Sequence, residues 1–205
     1  KQGAGGVLYL EKVHHVMNNY SQFEANSAEE GGTISIWSSH KIYNFRCKFV
    51  KNKAKLNGGT MSLNEVKLAL GVNCDFVSQI SKSGAGGVYV INNAGKIIIM
   101  RSHFTDSKAV IGSCLFAKNI QFIMFSNNAI MKSTALEHSG AIYVSNTVKA
   151  CVAFSVFIKI KTKQAIGSVY FSSVNKIILL NCNFSETSGL TRGVVHIQFF
   201  GTFYN

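Results

Sequence analysis

Apolar and polar residues alternate in short runs along this chain, and glycine or other small residues separate the runs. From Leu68 to Phe76 every second residue is apolar, and the residues between are polar or small. A period of two is typical of a β-strand with one face in a core. No segment shows a sustained stripe at 3.6-residue spacing. The pattern therefore predicts an all-β fold in which the apolar set of each run faces inward. Other such sets are Tyr43, Phe45, Cys47 and Phe49; Val152, Phe154, Val156 and Ile158; and Ile178, Leu180, Cys182 and Phe184.

A glycine-containing motif opens each repeat of this pattern. The repeats begin at Gly5, Gly31, Gly58, Gly86, Gly112, Gly140, Gly167 and Gly193. These starts lie 26 to 28 residues apart, and in the first seven repeats a large apolar residue follows after 17 or 18 residues. Those residues are Phe23, Phe49, Phe76, Phe104, Ile130, Ile158 and Phe184. Two anchors per repeat predict an internally repeated architecture.

A repeat of about 27 residues with two or three short strands suits one turn of a solenoid. A propeller blade needs four strands and roughly 40 residues, and the spacing of a leucine-rich repeat is absent. The sequence therefore predicts a right-handed parallel β-helix of about eight rungs, stacked about 4.8 Å apart. The absence of proline fits strands that are nearly all internal. We expect residues 1–205 to form a single β-helix domain within a longer rod, because both ends fall inside the repeat pattern.

The first strand of each repeat is apolar on both faces, so the sequence does not determine which alternate residues face inward. In repeats four to seven the expected inward pairs are Val88 and Val90, Cys114 and Phe116, Ile142 and Val144, and Val169 and Phe171, with Tyr89, Tyr143 and Tyr170 outside. In repeats two and three the same phase turns Ile34, Ile36, Met61 and Leu63 outward, near Trp37. Either the phase slips by one residue there, which exchanges the two faces, or Ile34, Ile36 and Trp37 belong to an exposed apolar patch that binds a partner.

Composition and charge narrow the functional classes. Hydrophobic residues make up 47% of the chain and charged residues 15%, which excludes a disordered polyelectrolyte. The apolar stretches are far shorter than the roughly 20 residues of a transmembrane helix, so no transmembrane segment is expected. The formal net charge is +12. Many of the basic residues follow the large anchors: Lys51, Lys53, Lys55, Lys82, Lys108, Lys132, Lys159, Lys161, Lys163 and Arg192.

Stacking would gather these basic residues into one edge of the rod. Such an edge attracts an anionic glycan or an acidic protein surface. The alternative is a set of solvated turns that keep a stacked fold soluble. Nucleic acid is not an expected partner, because no recognisable reading module is present.

The ionisable residues do not form a catalytic pattern. Asp75 and Asp106 are the only aspartates, and their offsets place them on neighbouring rungs in different columns. Glycoside hydrolysis normally needs two facing carboxylates, so we expect no enzymatic activity. His14 and His15 are adjacent and would point to opposite faces of a strand. With no Cys-x-x-Cys motif either, neither a metal nor a cofactor is expected.

Cysteines and glycosylation motifs add two minor expectations. Cys47 and Cys74 fall at equivalent inward positions of neighbouring repeats, with Ser102 and Cys182 at the matching positions. The sequence is compatible with two alternatives for that pair, a disulfide or two buried free thiols. Asn183 begins a glycosylation motif and is expected to face outward, whereas Asn19 begins a second motif and is not.

Two short motifs resemble those of a known family. They are the segment Ser139–Ile142, and a phenylalanine followed three residues later by asparagine in Phe23–Asn26 and Phe49–Asn52. Together they resemble the GGAI and FxxN repeats of the polymorphic outer membrane proteins, which are surface-exposed, autotransporter-type β-helix adhesins. The resemblance spans the whole chain, although Gln79, Ser107, Ser133 and Thr187 replace the asparagine in later repeats. It implies an extracellular or cell-surface location and an adhesive role.

The leading functional hypothesis is a non-catalytic β-helix stalk of an extracellular or cell-surface protein, with a structural or adhesive role. A first alternative is a head-to-tail subunit of an extracellular filament, whose open ends bind other copies or flanking segments of the same rod. A second alternative is a polysaccharide-binding or polysaccharide-degrading β-helix enzyme.

Overall fold

The computed structural model describes residues 3–163, 167–189 and 194–198, and these residues coil into about seven turns of parallel β-strands. No helix occurs among them. The predicted fold class, an all-β right-handed parallel β-helix, is confirmed. The strands are β1 (Leu8–Glu11), β2 (His15–Asn19), β3 (Gln22–Glu24), β4 (Ser27–Ala28), β5 (Ile34–Trp37), β6 (Lys41–Phe45), β7 (Lys48–Val50), β8 (Lys53–Ala54), β9 (Met61–Asn64), β10 (Leu68–Val72), β11 (Asp75–Val77), β12 (Ile80–Ser81), β13 (Tyr89–Met100), β14 (His103–Thr105), β15 (Lys108–Ile111), β16 (Leu115–Ser126), β17 (Ala129–Met131), β18 (Thr134–Glu137), β19 (Ile142–Ala153), β20 (Val156–Ile158), β21 (Lys161–Thr162), β22 (Val169–Leu180), β23 (Asn183–Ser185) and β24 (Val195–Gln198).

Each turn of the coil has four sides. The first side contains β1, β5, β9, β24 and the amino-terminal parts of the long strands β13, β16, β19 and β22. The second side contains β2, β6, β10 and the carboxyl-terminal parts of the same long strands. The third side is a seven-stranded sheet running from β3 to β23, and the fourth is a six-stranded sheet running from β4 to β21.

Residues with left-handed backbone angles form the corners. Glu65, Asn93 and Asn119 lie between the first and second sides, and Arg46 and Asn73 lie between the second and third, with φ from 51° to 58°. A left-handed residue reverses the local bend of the chain, and asparagine tolerates this conformation better than most residues. These corners separate sides whose outer faces differ in chemistry.

The differences in repeat length are confined to one corner. The starts of the first, second, third and fourth sides are separated by 7, 7 and 5 residues both in the turn that begins at Met61 and in the turn that begins at Tyr89. From the fourth side back to the first, the chain advances six residues from Ala109 to Leu115 and eight from Ser81 to Tyr89. The strand register is therefore unaffected by repeat length.

The register corrects the sequence alignment of the sixth and later repeats by one residue. Ile142 pairs with Leu115, which places Ser139, and not Gly140, at the position of Gly112. Gly140 instead occupies the position of the second glycine in earlier repeats, where chains approach closely: a Cβ at Gly59 would collide with a carbonyl oxygen of the next turn. The glycines that open the repeats therefore belong to two adjacent columns, not one.

The same one-residue error affects the predicted phenylalanine column. Phe157, not Ile158, pairs with Ile130 and is fully buried, so the prediction for Ile158 was wrong. The rest of the column is confirmed, and its rings stack face to face inside the coil. Centroid distances are 4.9 Å for Phe23 and Phe49, 5.0 Å for Phe49 and Phe76, 4.9 Å for Phe76 and Phe104, and 4.7 Å for Phe157 and Phe184.

On the first side, equivalent strand positions face inward in successive turns. The inward columns are Ile34, Met61, Tyr89, Leu115, Ile142 and Val169, followed two residues later by Ile36, Leu63, Ile91, Ala117, Val144 and Phe171. The inward pairs predicted for repeats six and seven are confirmed. For repeats four and five, the predicted burial of Val88 and Cys114 is confirmed, since both are fully buried just before the strand. Val90 and Phe116, by contrast, lie on the outer face, and the predicted outward Tyr89 was wrong.

On the second side the apolar set faces outward in the second, third and seventh repeats, contrary to the sequence prediction. In the sixth repeat Val152 points inward, as predicted, and is 2% exposed. Leu68, Leu70 and Val72 lie on the outer face of β10, whereas Ala69 and Gly71 face inward. The left-handed corner at Asn73 then restores the inward direction for the third side. The apolar alternation therefore continues through the corner in the sequence, but its apolar residues face outward before the corner and inward after it.

A buried polar column lines the corner between the second and third sides. Cys47, Cys74 and Ser102 occupy it as predicted, and both cysteines are free thiols. The Cys47 thiol donates to the carbonyl oxygen of Asn18 (3.3 Å), and the Cys74 thiol donates to that of Asn44 (3.4 Å). A hydrogen bond to Cys47, reinforced by burial, raises the pKa of Cys74.

Candidate interaction surfaces

The acidic side chains are spread over different parts of the coil. Asp75, on the third side, hydrogen-bonds His103 Nδ1 (2.9 Å), while Asp106, at the next corner, accepts a hydrogen bond from Ser78 Oγ (3.2 Å). Within the described ranges, no group of three or more histidine, cysteine or acidic residues is arranged to hold a metal ion.

His14 and His40 form a small basic cluster at the first-second corner. Their rings stack with centroids 4.5 Å apart, and Lys67 Nζ lies 3.1 Å from His40 Nε2. The positive charge of Lys67 lowers the pKa of His40. The two stacked rings occupy equivalent positions in neighbouring turns of the coil.

Of the two alternatives left open near Trp37, the phase shifted by one residue is the one observed, and the exposed apolar patch is not. Ile34 and Ile36 point into the coil and are fully buried, so they cannot bind a partner. Trp37, at the end of β5, is half-buried on the opposite face of the strand. The patch prediction was wrong because the inward phase of the first side is the one that buries both isoleucines.

The lysines of the predicted basic edge lie in three parallel columns. Lys51 and Lys159 lie at equivalent corner positions between the third and fourth sides, Lys53 and Lys161 on the fourth side, and Lys55 and Lys163 just after it. All six side chains are exposed. Arg192 lies outside the described residues.

Acidic residues divide this edge into short segments. Glu29 lies 4.0 Å from Lys55, Glu186 lies 3.6 Å from Lys159, and Asp106 lies 3.4 Å from Lys108. All these ion pairs are exposed, which makes each weak. The edge is thus a mixed charged surface, as in the shallow pocket where Lys132, Lys159 and Lys161 lie together with Thr134 and Glu186.

The outer face of the first side carries an aromatic ladder. Phe116, Tyr143, Tyr170 and His196 stack with centroids 5.0, 5.0 and 5.3 Å apart. Each ring face inside the ladder is covered by the next ring. A sugar that stacks on aromatic side chains needs an uncovered ring face, so this ladder acts mainly as outer packing.

The outer face of the second side carries a continuous apolar surface. We call it the apolar strip: Met17, Tyr43, Leu70, Ile98, Met124, Cys151 and Ile178 form one row, and Phe45, Val72, Met100 and Leu180 lie in the next. Met17 is 66% exposed and Leu180 46%, whereas the members between them are half-buried by their neighbours. The strip crosses seven turns of the coil.

Basic residues border the apolar strip on both sides. The lysine row comprises Lys41, Lys96, Lys149 and Lys176, two residues before the strip in the same strands. Arg46 and Arg101 lie at the opposite corner, with left-handed backbone angles. Lys96 and Lys149 extend over the ring of Phe122, with Nζ 5.6 and 5.5 Å from its centroid. No acidic residue lies in the strip or the lysine row.

The two candidate glycosylation sites are both at the surface. Asn183 begins β23 and is exposed, as predicted. Asn19 ends β2 and is also exposed, so its expected inward position was wrong. The prediction failed because Asn19 belongs to the alternate residues of the second side that face outward.

No helix among the described residues is long and apolar enough to cross a membrane. Comparison with protein-family models, with curated proteins and with solved structures found no match in any of the three. The chemistry of the four sides is therefore the basis for a functional proposal.

Proposed function

We propose that this chain is a non-catalytic β-helix stalk of an extracellular or cell-surface protein, with a structural or adhesive role, and that it binds its partner through the apolar strip. The apolar strip is the observation that carries the proposal. Large contiguous apolar surfaces on soluble proteins mark interaction sites more often than chance exposure does. The repeat motifs that resemble those of surface adhesins support the location.

The rigid coil suits such a role because every turn pairs with the next through three sheets. Stability in such a solenoid comes from contacts between neighbouring turns. A face repeated turn after turn is therefore a fixed surface, available to a partner without rearrangement.

A bead-adhesion assay tests the proposal. The chain, biotinylated at one terminus and displayed on streptavidin beads, is passed over cultured cells under flow. We expect bead retention, and we expect the double variant Leu70→Ser and Ile98→Ser to lose most of it. The matched control, Thr105→Ser and Val156→Ser on the outer face of the third side, is expected to retain beads normally.

Three other results would overturn the proposal. Release of reducing ends or unsaturated sugars from a panel of polysaccharides would indicate an enzyme. Equal retention by the strip variant and the control would place adhesion elsewhere. Concentration-dependent rods in light scattering and negative stain, unaffected by strip substitutions, would favour the head-to-tail filament.

A further inference from the structure

We infer that the occupant of the apolar strip is an amphipathic α-helix of another protein, about 20 residues long, with an acidic flank. This inference rests on the proposed function, because it names the partner of the same surface. It is argued from the strip's dimensions, its repeat distance and the charges along its border.

The dimensions of the strip match one helix. The seven residues of the longer row are separated by six intervals of about 4.8 Å, which gives a strip about 29 Å long, and its two rows are about 7 Å apart along the strand. A helix of 20 residues is about 30 Å long and about 10 Å wide. One helix laid along the rod therefore covers the strip.

The repeat distance of the strip is close to that of a helix. Successive members such as Leu70, Ile98 and Met124 lie one turn of the coil apart, about 4.8 Å. The pitch of an α-helix is about 5.4 Å. One apolar side chain per helical turn can thus meet one strip residue per coil turn over several turns.

Three members of the lysine row supply charge complementarity at a regular spacing. Lys41, Lys96 and Lys149 are separated by two turns each, or about 9.6 Å. Lys176 follows one turn after Lys149. Seven residues of helix rise about 10.5 Å. Acidic side chains seven residues apart on one flank of the helix would therefore lie opposite these lysines.

Charge argues against a second copy of this chain. Two copies packed strip to strip would bring together the lysine rows of chains that each carry a net charge of +12. A lipid surface is less favoured, because Leu70 and Ile98 are half-buried between their neighbours and penetrate a bilayer poorly.

The test uses two synthetic 21-residue helical peptides. Both carry leucine along one stripe; one has glutamate at every seventh residue on a flank, and its matched control has lysine there. Binding is measured by fluorescence anisotropy and by protection of the Cys151 thiol, which lies within the strip. We expect the acidic peptide to bind at least tenfold more tightly and to slow labelling of Cys151.

Chain variants locate the contact. Ile98→Ser is expected to weaken the acidic peptide about tenfold, since one large apolar contact is lost. Lys96→Gln is expected to weaken it about threefold, with a reduced salt dependence. Lys53→Gln, on the fourth side, is the control and should leave binding unchanged.

Each other outcome overturns the inference. Equal affinity for both peptides would show that the partner helix needs no acidic flank. Binding to phosphatidylserine vesicles without binding to the peptides would assign the strip to a membrane. A dimer in sedimentation that Ile98→Ser abolishes would assign it to a second copy. If the peptides fail while strip variants still lose bead retention, the inference fails and the proposed function stands.

Discussion

The first and second sides are built from the same long strands, yet they use their apolar residues in opposite ways. On the first side, Ile91 and Leu115 point into the coil, and the outer face is closed by the aromatic ladder. On the second side, Ile98 and Met124 point outward and form part of the apolar strip. Apolar content alone therefore does not identify a core face in this coil; the corner between two sides decides it.

The largest expected difference comes from a matched pair of isoleucines. Ile36, on the first side, is fully buried, whereas Ile98, on the second, is partly exposed in the strip. We expect Ile36→Ala to reduce the free energy of unfolding by about 2–5 kcal/mol because it leaves a cavity. Ile98→Ala should cost less than about 1 kcal/mol. Urea unfolding monitored by circular dichroism measures both, and equal losses would refute the assignment of faces.

Cys114, which is buried, and Cys151, which lies on the apolar strip, allow a second comparison between an inner and an outer position, in which the pH is varied. Burial raises the pKa of Cys114, beside the first side, to about 12, with weaker opposing hydrogen bonds from Ser133 and Ser113. The unfolded thiol ionises near pH 8.5. The native state thus holds its proton more tightly, so stability is complete below pH 8.5 and falls as the pH rises toward 12.

Replacing the thiol tests this directly. In the variant Cys114→Ala we expect a shallower loss of stability between pH 9 and pH 12, measured as urea midpoints across that range. In the parent chain at pH 8, a thiol reagent should label Cys151 on the strip well before Cys114. Labelling of Cys114 at the same rate would contradict its burial.

A substitution at a corner is expected to change the stability by a smaller amount and to increase it. Phe154 forms the end of the second side with φ of 48° and is 47% exposed. Asn73 and Asn127 occupy the equivalent corners of other turns. We expect Phe154→Asn to stabilise the coil by about 0.5–1 kcal/mol, because asparagine adopts this conformation at lower cost. Differential scanning calorimetry should show a Tm higher by a few degrees, and a lower Tm would show that the Phe154 ring packs more than its exposure indicates.

The smallest expected change concerns Tyr89, the inward residue that begins the first side of the fourth turn. Its hydroxyl is buried, and none of the described residues hydrogen-bonds it. Leaving a polar group unsatisfied costs free energy, so Tyr89→Phe should stabilise the chain by up to about 1 kcal/mol. The ring contact with Phe76 at 5.3 Å is kept in this variant. A loss of stability in chemical denaturation would reveal a partner for the hydroxyl.

The fold could be predicted from the sequence because its signals recur in every turn. Glycine positions, the phenylalanine column and the column of Cys47 and Cys74 all repeat at one interval, so single errors do not obscure the pattern. The misalignment began at Gly140, because Gly140 and Ser139 are both small residues and either can open a repeat, but it displaced the phenylalanine column only at Ile158.

The apolar strip could not be predicted, because strand alternation does not reveal a corner. In the run from Leu68 to Phe76, apolar spacing is continuous, but the left-handed conformation at Asn73 reverses the direction of the side chains. Corner residues vary between Arg46, Asn73 and Phe154, so no single residue type marks the position. The basic edge, by contrast, was predicted in outline, since turn lysines remain exposed in either phase.

The one corner that varies in length makes this coil suitable as a display scaffold. Between the fourth and first sides the chain already accommodates connections of six, seven and eight residues while all three sheets keep their register. A guest peptide inserted there, for example near Ser83 between β12 and β13, would enter a segment whose length the strands do not fix. Guests in several turns would stand in a line with the spacing of the turns, at distances set by the number of turns between them.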